Sequence, residues 1–321
     1  MRLCRYRHEN QVRVGYYDEE RIVPVSAVAQ AYTAATRERV VLPISDSLIP
    51  FLPPDGEGFE MTRKLSNWLA SGGEGTSGVR GLAHDQVEVL LPNPRPNKLF
   101  LLAGNYAKHI EEGGGTAAER AETFPYVFMK PPSTTLTHPG LPVRIPSVSP
   151  KHIDWELELA VVMGRKAKGI SEADALEYVA GYTIINDISD RKFQPNPQRK
   201  ERSKDGFFDW LHGKWHDSFC PCGPCIASAD SVADPQQLAM QLRVNDHLHQ
   251  DASTAQQIFP VAAVIEFISS FVTLEPGDMI STGTPHGVGS TTGTFLKAGD
   301  RIEASIDSIG TLVSPVVGDN T

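Results

Sequence analysis

The segment Ile153-Asp154-Trp155-Glu156-Leu157-Glu158-Leu159-Ala160-Val161-Val162-Met163 restricts the fold most: it is an apolar, β-forming run that carries two glutamates two positions apart. Side chains alternate across a strand, so Trp155, Leu157, Leu159 and Val161 share one face while Glu156 and Glu158 share the other. At about 3.3 Å of rise per residue, the two glutamate Cα atoms stand about 6.5 Å apart. A strand this apolar belongs in a core, where adjacent carboxylates repel and desolvate poorly unless a cation lies between them. A second run, Tyr182-Thr183-Ile184-Ile185-Asn186-Asp187, ends in a third acid. Three carboxylates suit a hard divalent cation, magnesium or manganese, with calcium as a third candidate. The competing reading, an edge strand with two solvated glutamates, is opposed by the apolar surroundings.

The rest of the chain predicts an α+β protein that is mostly β. Alternation at Leu3, Arg5 and then Val12, Val14, Tyr16 flanks a polar turn at residues 8–11, and Arg21 to Val25 adds a further short strand. Helices are expected around Ala27 to Ala35 and Met61 to Ala70. Pro92, Pro94 and Pro96 then stop regular structure and mark a boundary between a small N-terminal domain, 1–95, and a larger domain, 96–321. Beyond it, strands are expected at Leu99 to Ala103, Tyr126 to Met129, Trp155 to Met163, Tyr182 to Asn186, Gln241 to Val244 and Met279 to Ser281. Helices are expected at Ala175 to Val179, behind a capping-box-like Ser171 to Asp174, and at Val261 to Phe271.

Composition narrows the function. With 30 Lys plus Arg against 39 Asp plus Glu, the net charge is −9, the wrong sign for nucleic-acid phosphates or anionic lipid. No segment approaches the roughly 20 apolar residues of a membrane helix and the start lacks a signal-peptide pattern, so the cytoplasm is the expected location. Cys220, Cys222 and Cys225, with His212 and His216 upstream, raise a structural zinc site. Pro221 and Pro224 stiffen that segment, and buried reduced thiols are the favoured alternative.

Two further groups carry chemistry. On a short helix His109 and Glu112 stand three apart on one face, where a carboxylate raises the basicity of an imidazole and fixes its tautomer, as a water-activating base requires. A plain surface pair is the alternative. Gly113-Gly114-Gly115 and the charged residues 119–122 read as a hinge and cover, or as a simple flexible loop. Lys214, among Trp210, His212 and Trp215, offers a cation in water-poor surroundings against developing negative charge, and a plain surface lysine is the competing reading.

Taken together, residues 154–162, Gly181 to Asp187 and Ser189-Asp190-Arg191 resemble the fumarylacetoacetate hydrolase family. Gly104-Asn105-Tyr106, Phe128-Met129-Lys130-Pro131, Gly213-Lys214, Leu274-Glu275-Pro276-Gly277-Asp278 and Thr282-Gly283-Thr284-Pro285 agree with it in order, over roughly residues 98 to 310. The resemblance implies a mixed β-roll catalytic domain behind a small N-terminal α+β domain, and a homodimer. It puts the metal, Mg²⁺ with Mn²⁺ or Ca²⁺ as substitutes, on Glu156, Glu158 and Asp187. It also implies His109 with Glu112 as the base pair, Lys214 as a catalytic cation, and Lys130, Arg191, Gln194 and Thr284 around the substrate. Trp215 and His216 depart from the smaller residues of many relatives and alter the surroundings of Lys214.

The implied activity is hydrolysis of a carbon–carbon bond in a 2,4-dioxo acid, of the acylpyruvate or fumarylpyruvate kind, through a metal-stabilised enolate. Decarboxylation or isomerisation of an oxo-dicarboxylic acid, of the oxaloacetate or 2-hydroxyhepta-2,4-diene-1,7-dioate type, runs through the same intermediate. A metal-binding module without catalysis is a third reading, which the presence of both His109 and Glu112 opposes.

Overall fold

The computed structural model describes residues 1–72 and 74–319. The N-terminal alternation forms a hairpin of Arg2–His8 and Gln11–Tyr17, closed by Glu9 and Asn10, both at positive φ, as a two-residue turn that matches strand twist requires. Arg21–Pro24 extends it, and the helices Val25–Thr36 and Phe59–Ala70 follow. Both helices begin two residues before their expected starts.

Twelve strands among the described residues make one mixed sheet. Arg2–His8 pairs with Cys220–Ser228, then come Val179–Asn186, Leu157–Met163, Met279–Ser281, Leu99–Ala103 and, at the far edge, Tyr126–Met129. The boundary near residue 95 therefore does not interrupt the sheet: Leu3 stands opposite Ile226. A second sheet of five strands runs in the order His247–Ser253, Ala239–Val244, Arg301–Ile306, Gly310–Gly318, Val143–Ile145.

Strand alternation sorts the core into two layers. Leu157, Leu159, Val161 and Met163 face a cluster that includes Leu242, Ile302, Ala304 and the helix Val261–Phe271. Ala160 and Val162 face the other cluster, with Leu3, Val14, Val28 and Leu65 of the N-terminal segment. The mainly β, α+β architecture is as expected. Two local expectations need correction. The strand begins at Leu157 rather than Trp155, because Glu156 N–H is taken by the Asn186 side chain and Leu157 N–H by Gln250, both outside the ladder. Residues 175–178 form a 3₁₀ turn and not an α-helix, although Ser171 and Asp174 do bond each other as a cap would.

Candidate active site

Glu156 sits where the chain passes from the two-residue strand Ile153–Asp154 into Leu157–Met163. Its carbonyl accepts from Asp187 N at 2.8 Å, which brings the ends of the two apolar runs together. Glu156, Glu158 and Asp187 are all buried, and one oxygen from each lies within 4.8 Å of the others. The sequence reading of three convergent acids is thus met in space.

The electrostatics of the three differ. Burial works to raise Glu156, but Lys214, Arg191 and His109 outweigh it and hold the carboxyl below its ordinary range. Glu158 is pushed well above that range by burial, and its neighbours Asp187 and Glu156 push it further. Its Oε2 accepts from Ser281 Oγ at 2.6 Å and Gly283 N at 3.0 Å, whereas Oε1 is buried with no partner among the described residues. A buried carboxylate oxygen facing two more carboxylates is the environment that a hard dication neutralises, so the residues fit such an ion.

Lys214 Nζ donates to Glu156 Oε2 at 2.7 Å and Asp187 Oδ2 at 2.6 Å, and lies 5.4 Å from the Phe128 ring and 6.0 Å from the Trp210 ring. Burial opposes its charge, but the carboxylates of Asp187 and Glu156 prevail and hold its pKa above the ordinary lysine value. Arg191 reaches Asp154 Oδ2 at 2.8 Å and Glu156 Oε1 at 2.7 Å. Lys130 is fully buried, touches Asp187 Oδ1, and donates to the carbonyls of Ile188 and Phe219.

The helix Ala107–Glu112 sets His109 Nδ1 2.8 Å from Glu112 Oε1, and Glu112 Oε2 accepts from Gly287 N at 2.9 Å, so the carboxylate is fixed at both ends. The same Gly287 accepts from Trp155 Nε1 at 3.1 Å, which ties the pair to the residue before Glu156. Arg120 in the expected cover pairs with Glu172. Thr284 is buried and its hydroxyl accepts from Gln250. Gln194 is exposed in the loop after Asp190 and makes no hydrogen bond to the acids among the described residues.

Four supporting residues had no role assigned from sequence. Asp154 accepts from Trp155 N, Gly289 N, Ser290 N and Arg191, and so seats the guanidinium. Gln250 links Leu157 N to Thr284 and Pro285 across two sheets. Asn105 joins Phe259 and Thr282, and Ser281 holds Glu158. Asp154 and Asn105 lay inside the quoted motifs, but Gln250 carried no sequence signal, because its partner is nearly a hundred residues away.

The chain matches the description of the fumarylacetoacetate (FAA) hydrolase C-terminal region over residues 98–317. It belongs to the fumarylacetoacetate hydrolase family. The mitochondrial oxaloacetate tautomerase of Xenopus laevis is 39% identical over 238 residues, 74% of this chain and 70% of that protein. Maleylpyruvate hydrolase of Sphingobium sp. SYK-6, solved with manganese(II) and pyruvate, superposes with a TM-score of 0.70 at 29% identity, covering 99% of each chain. The 2-hydroxyhepta-2,4-diene-1,7-dioate isomerase of Mycobacterium marinum gives 0.69 at 28% identity, covering 100% of each. No helix among the described residues is long and apolar enough to cross a membrane.

Proposed function

We propose that this chain is a divalent-metal enzyme that forms and reprotonates the enolate of a 2-oxo acid. The observation that carries this reading is the convergence of three buried carboxylates, one with an unpartnered oxygen, near a His109–Glu112 pair anchored at both carboxylate oxygens. Magnesium or manganese on Glu156, Glu158 and Asp187 would supply Lewis-acid stabilisation of the charge on the 2-oxo oxygen. Glu112 keeps the proton of His109 on Nδ1 and leaves Nε2 to accept one. The Lys214 ammonium adds positive charge beside the same centre. Arg191, Gln194 and Thr284 are proposed around the substrate, and the protein is proposed to work as a homodimer.

Two overall reactions share this core. In hydrolysis, His109 takes a proton from water as it attacks the 4-carbonyl of a 2,4-dioxo acid. The bond between C3 and C4 breaks, and its electron pair leaves on a pyruvate enolate that is then protonated. The likeness to maleylpyruvate hydrolase supports this reading. In the second, His109 moves a C3 proton of an oxaloacetate-type diacid and no carbon–carbon bond breaks, a reading favoured by the higher identity to oxaloacetate tautomerase. Purified protein with Mg²⁺ or Mn²⁺ should release pyruvate from acetylpyruvate or fumarylpyruvate in the first case. In the second it should speed the loss of enol absorbance of oxaloacetate. Turnover of none of these acids would overturn the proposal, and unchanged turnover in Glu156→Ala would overturn the metal assignment.

A further inference from the structure

The two cations that reach Glu156 come from segments that are joined one residue before each of them. Arg191 Nη1 lies 2.7 Å from Glu156 Oε1, and Lys214 Nζ donates to Glu156 Oε2 at 2.7 Å. Immediately before them in the chain, Asp190 N donates to the Gly213 carbonyl at 2.9 Å. The approach is close: a Cβ on Gly213 would stand 2.4 Å from the Asp190 carbonyl oxygen. Two side chains cross this junction. The Asp190 side chain is fully buried, and its Oδ2 faces His216 Nε2 at 3.6 Å. Neither atom has a hydrogen-bond partner among the described residues, because that separation is beyond hydrogen-bond reach. A carboxylate only accepts, so Nε2 faces it with a proton and the contact is electrostatic. The His216 ring is itself fixed between Phe193 and Phe219, with ring centroids 4.8 Å and 4.9 Å away.

We infer that Asp190 and His216 are a pair of positioning residues, a clasp that sets Arg191 and Lys214 in register on the two oxygens of Glu156. Among the described residues no hydrogen bond or ion pair joins either of them to the acid triad, so their effect travels through the backbone. Asp190 directly precedes Arg191, and His216 follows Lys214 by two. Without the histidine, the side-chain partner left to the buried Asp190 carboxylate is the Lys192 N–H at 3.2 Å, a poor exchange for a buried charge. Trp215 ties the same segment to a second strand, donating Nε1–H to the Met129 carbonyl at 2.9 Å. The inference rests on the proposed role of the two cations and adds what holds them in place.

The test uses the full-length protein, native and as His216→Phe, Asp190→Asn and the double variant. His216→Phe keeps a ring between Phe193 and Phe219 and removes only the polar contact; Asp190→Asn keeps the size and removes the charge. Two quantities are read. The first is the ¹⁵N NMR signal of the Lys214 ammonium without substrate, assigned by its loss in Lys214→Arg. The second is kcat and KM on whichever oxo acid the native protein turns over. Each single variant should move the Lys214 signal and lower kcat by about 10-fold with a smaller change in KM, since small misplacements of a charge at the reacting centre are costly in rate. The double variant should lose no more than the worse single one, because the two residues act as a unit. A purely packing role predicts an unmoved signal and unchanged kcat in His216→Phe. Should that variant fail to fold, Asp190→Asn carries the test alone. An unmoved Lys214 signal, unchanged kcat in the folded variants, or losses that multiply in the double variant overturn the inference and leave the enzyme reading standing. Native protein inactive on every oxo acid overturns the enzyme reading, and the Lys214 signal then decides the clasp.

Discussion

Gly283 and Gly287 each donate a backbone N–H to a site carboxylate, at φ 87° and φ 95° respectively. A Cβ on Gly287 would stand 2.1 Å from the His249 carbonyl oxygen, and one on Gly283 would stand 2.9 Å from Asn105 Cβ. These are positions where only glycine combines the backbone conformation with the close approach. Gly287→Ala should therefore destabilise the fold by about 1–3 kcal/mol, read from chemical denaturation, and slow turnover by shifting the N–H that anchors Glu112. His109→Ala should lower kcat by about 10²–10⁴-fold, the usual contribution of a positioned base, and leave Mn²⁺ affinity unchanged by calorimetry. Loss of metal binding in that variant would move His109 from the proton-transfer role into the ligand set.

At the scale of the element, the strand Cys220–Ser228 explains the cysteines. Cys220 and Cys222 pack into the layer shared with the N-terminal helices, while beyond Gly223-Pro224, where the pairing register shifts, Cys225 faces the other layer. Thiols on opposite sides of a sheet do not converge on zinc, and among the described residues the acid triad is the one cluster of metal donors. All four cysteines are free and buried. Burial pushes the Cys220 and Cys225 thiols up to about 12. Thiol reagents at neutral pH should label the native protein negligibly and the denatured protein at all four positions. Because the folded thiols keep their protons to higher pH than the unfolded ones, raising pH above the ordinary thiol range favours the unfolded chain. Stability should fall progressively toward pH 12 in denaturation curves.

For the molecule as a whole, the N-terminal segment supports the sheet that carries the site, although none of its described residues belongs to the acid triad. Leu3, Val14, Val28 and Leu65 pack in the layer of Ala160, Val162 and Ile185, on the sheet face that also carries Glu158. A chain begun at residue 96 would expose that face and leave Cys220–Ser228 without its Arg2–His8 neighbour. Such a truncation should aggregate or unfold, and the intact protein should melt in one transition by calorimetry. Two separate transitions would mean that the two segments fold independently despite the shared sheet.

The sequence by itself determined the strand content, the three acids and the His109–Glu112 pair. These rest on local regularities: the two-residue repeat of a strand, the three-residue spacing of a helix face, and ordered motifs over residues 98–310. Only the tertiary structure decided which groups surround those acids. Gln250, Ser281 and Asp154 act through partners distant in the chain, and no local pattern records such a contact. The same holds for Lys130, which the family resemblance placed around the substrate and which packs, buried, against Asp187, Ile188 and Phe219. Periodicity fixes what a segment presents on each face. Which faces meet is set by the packing of two apolar layers on one continuous sheet, and that is a property of the whole chain.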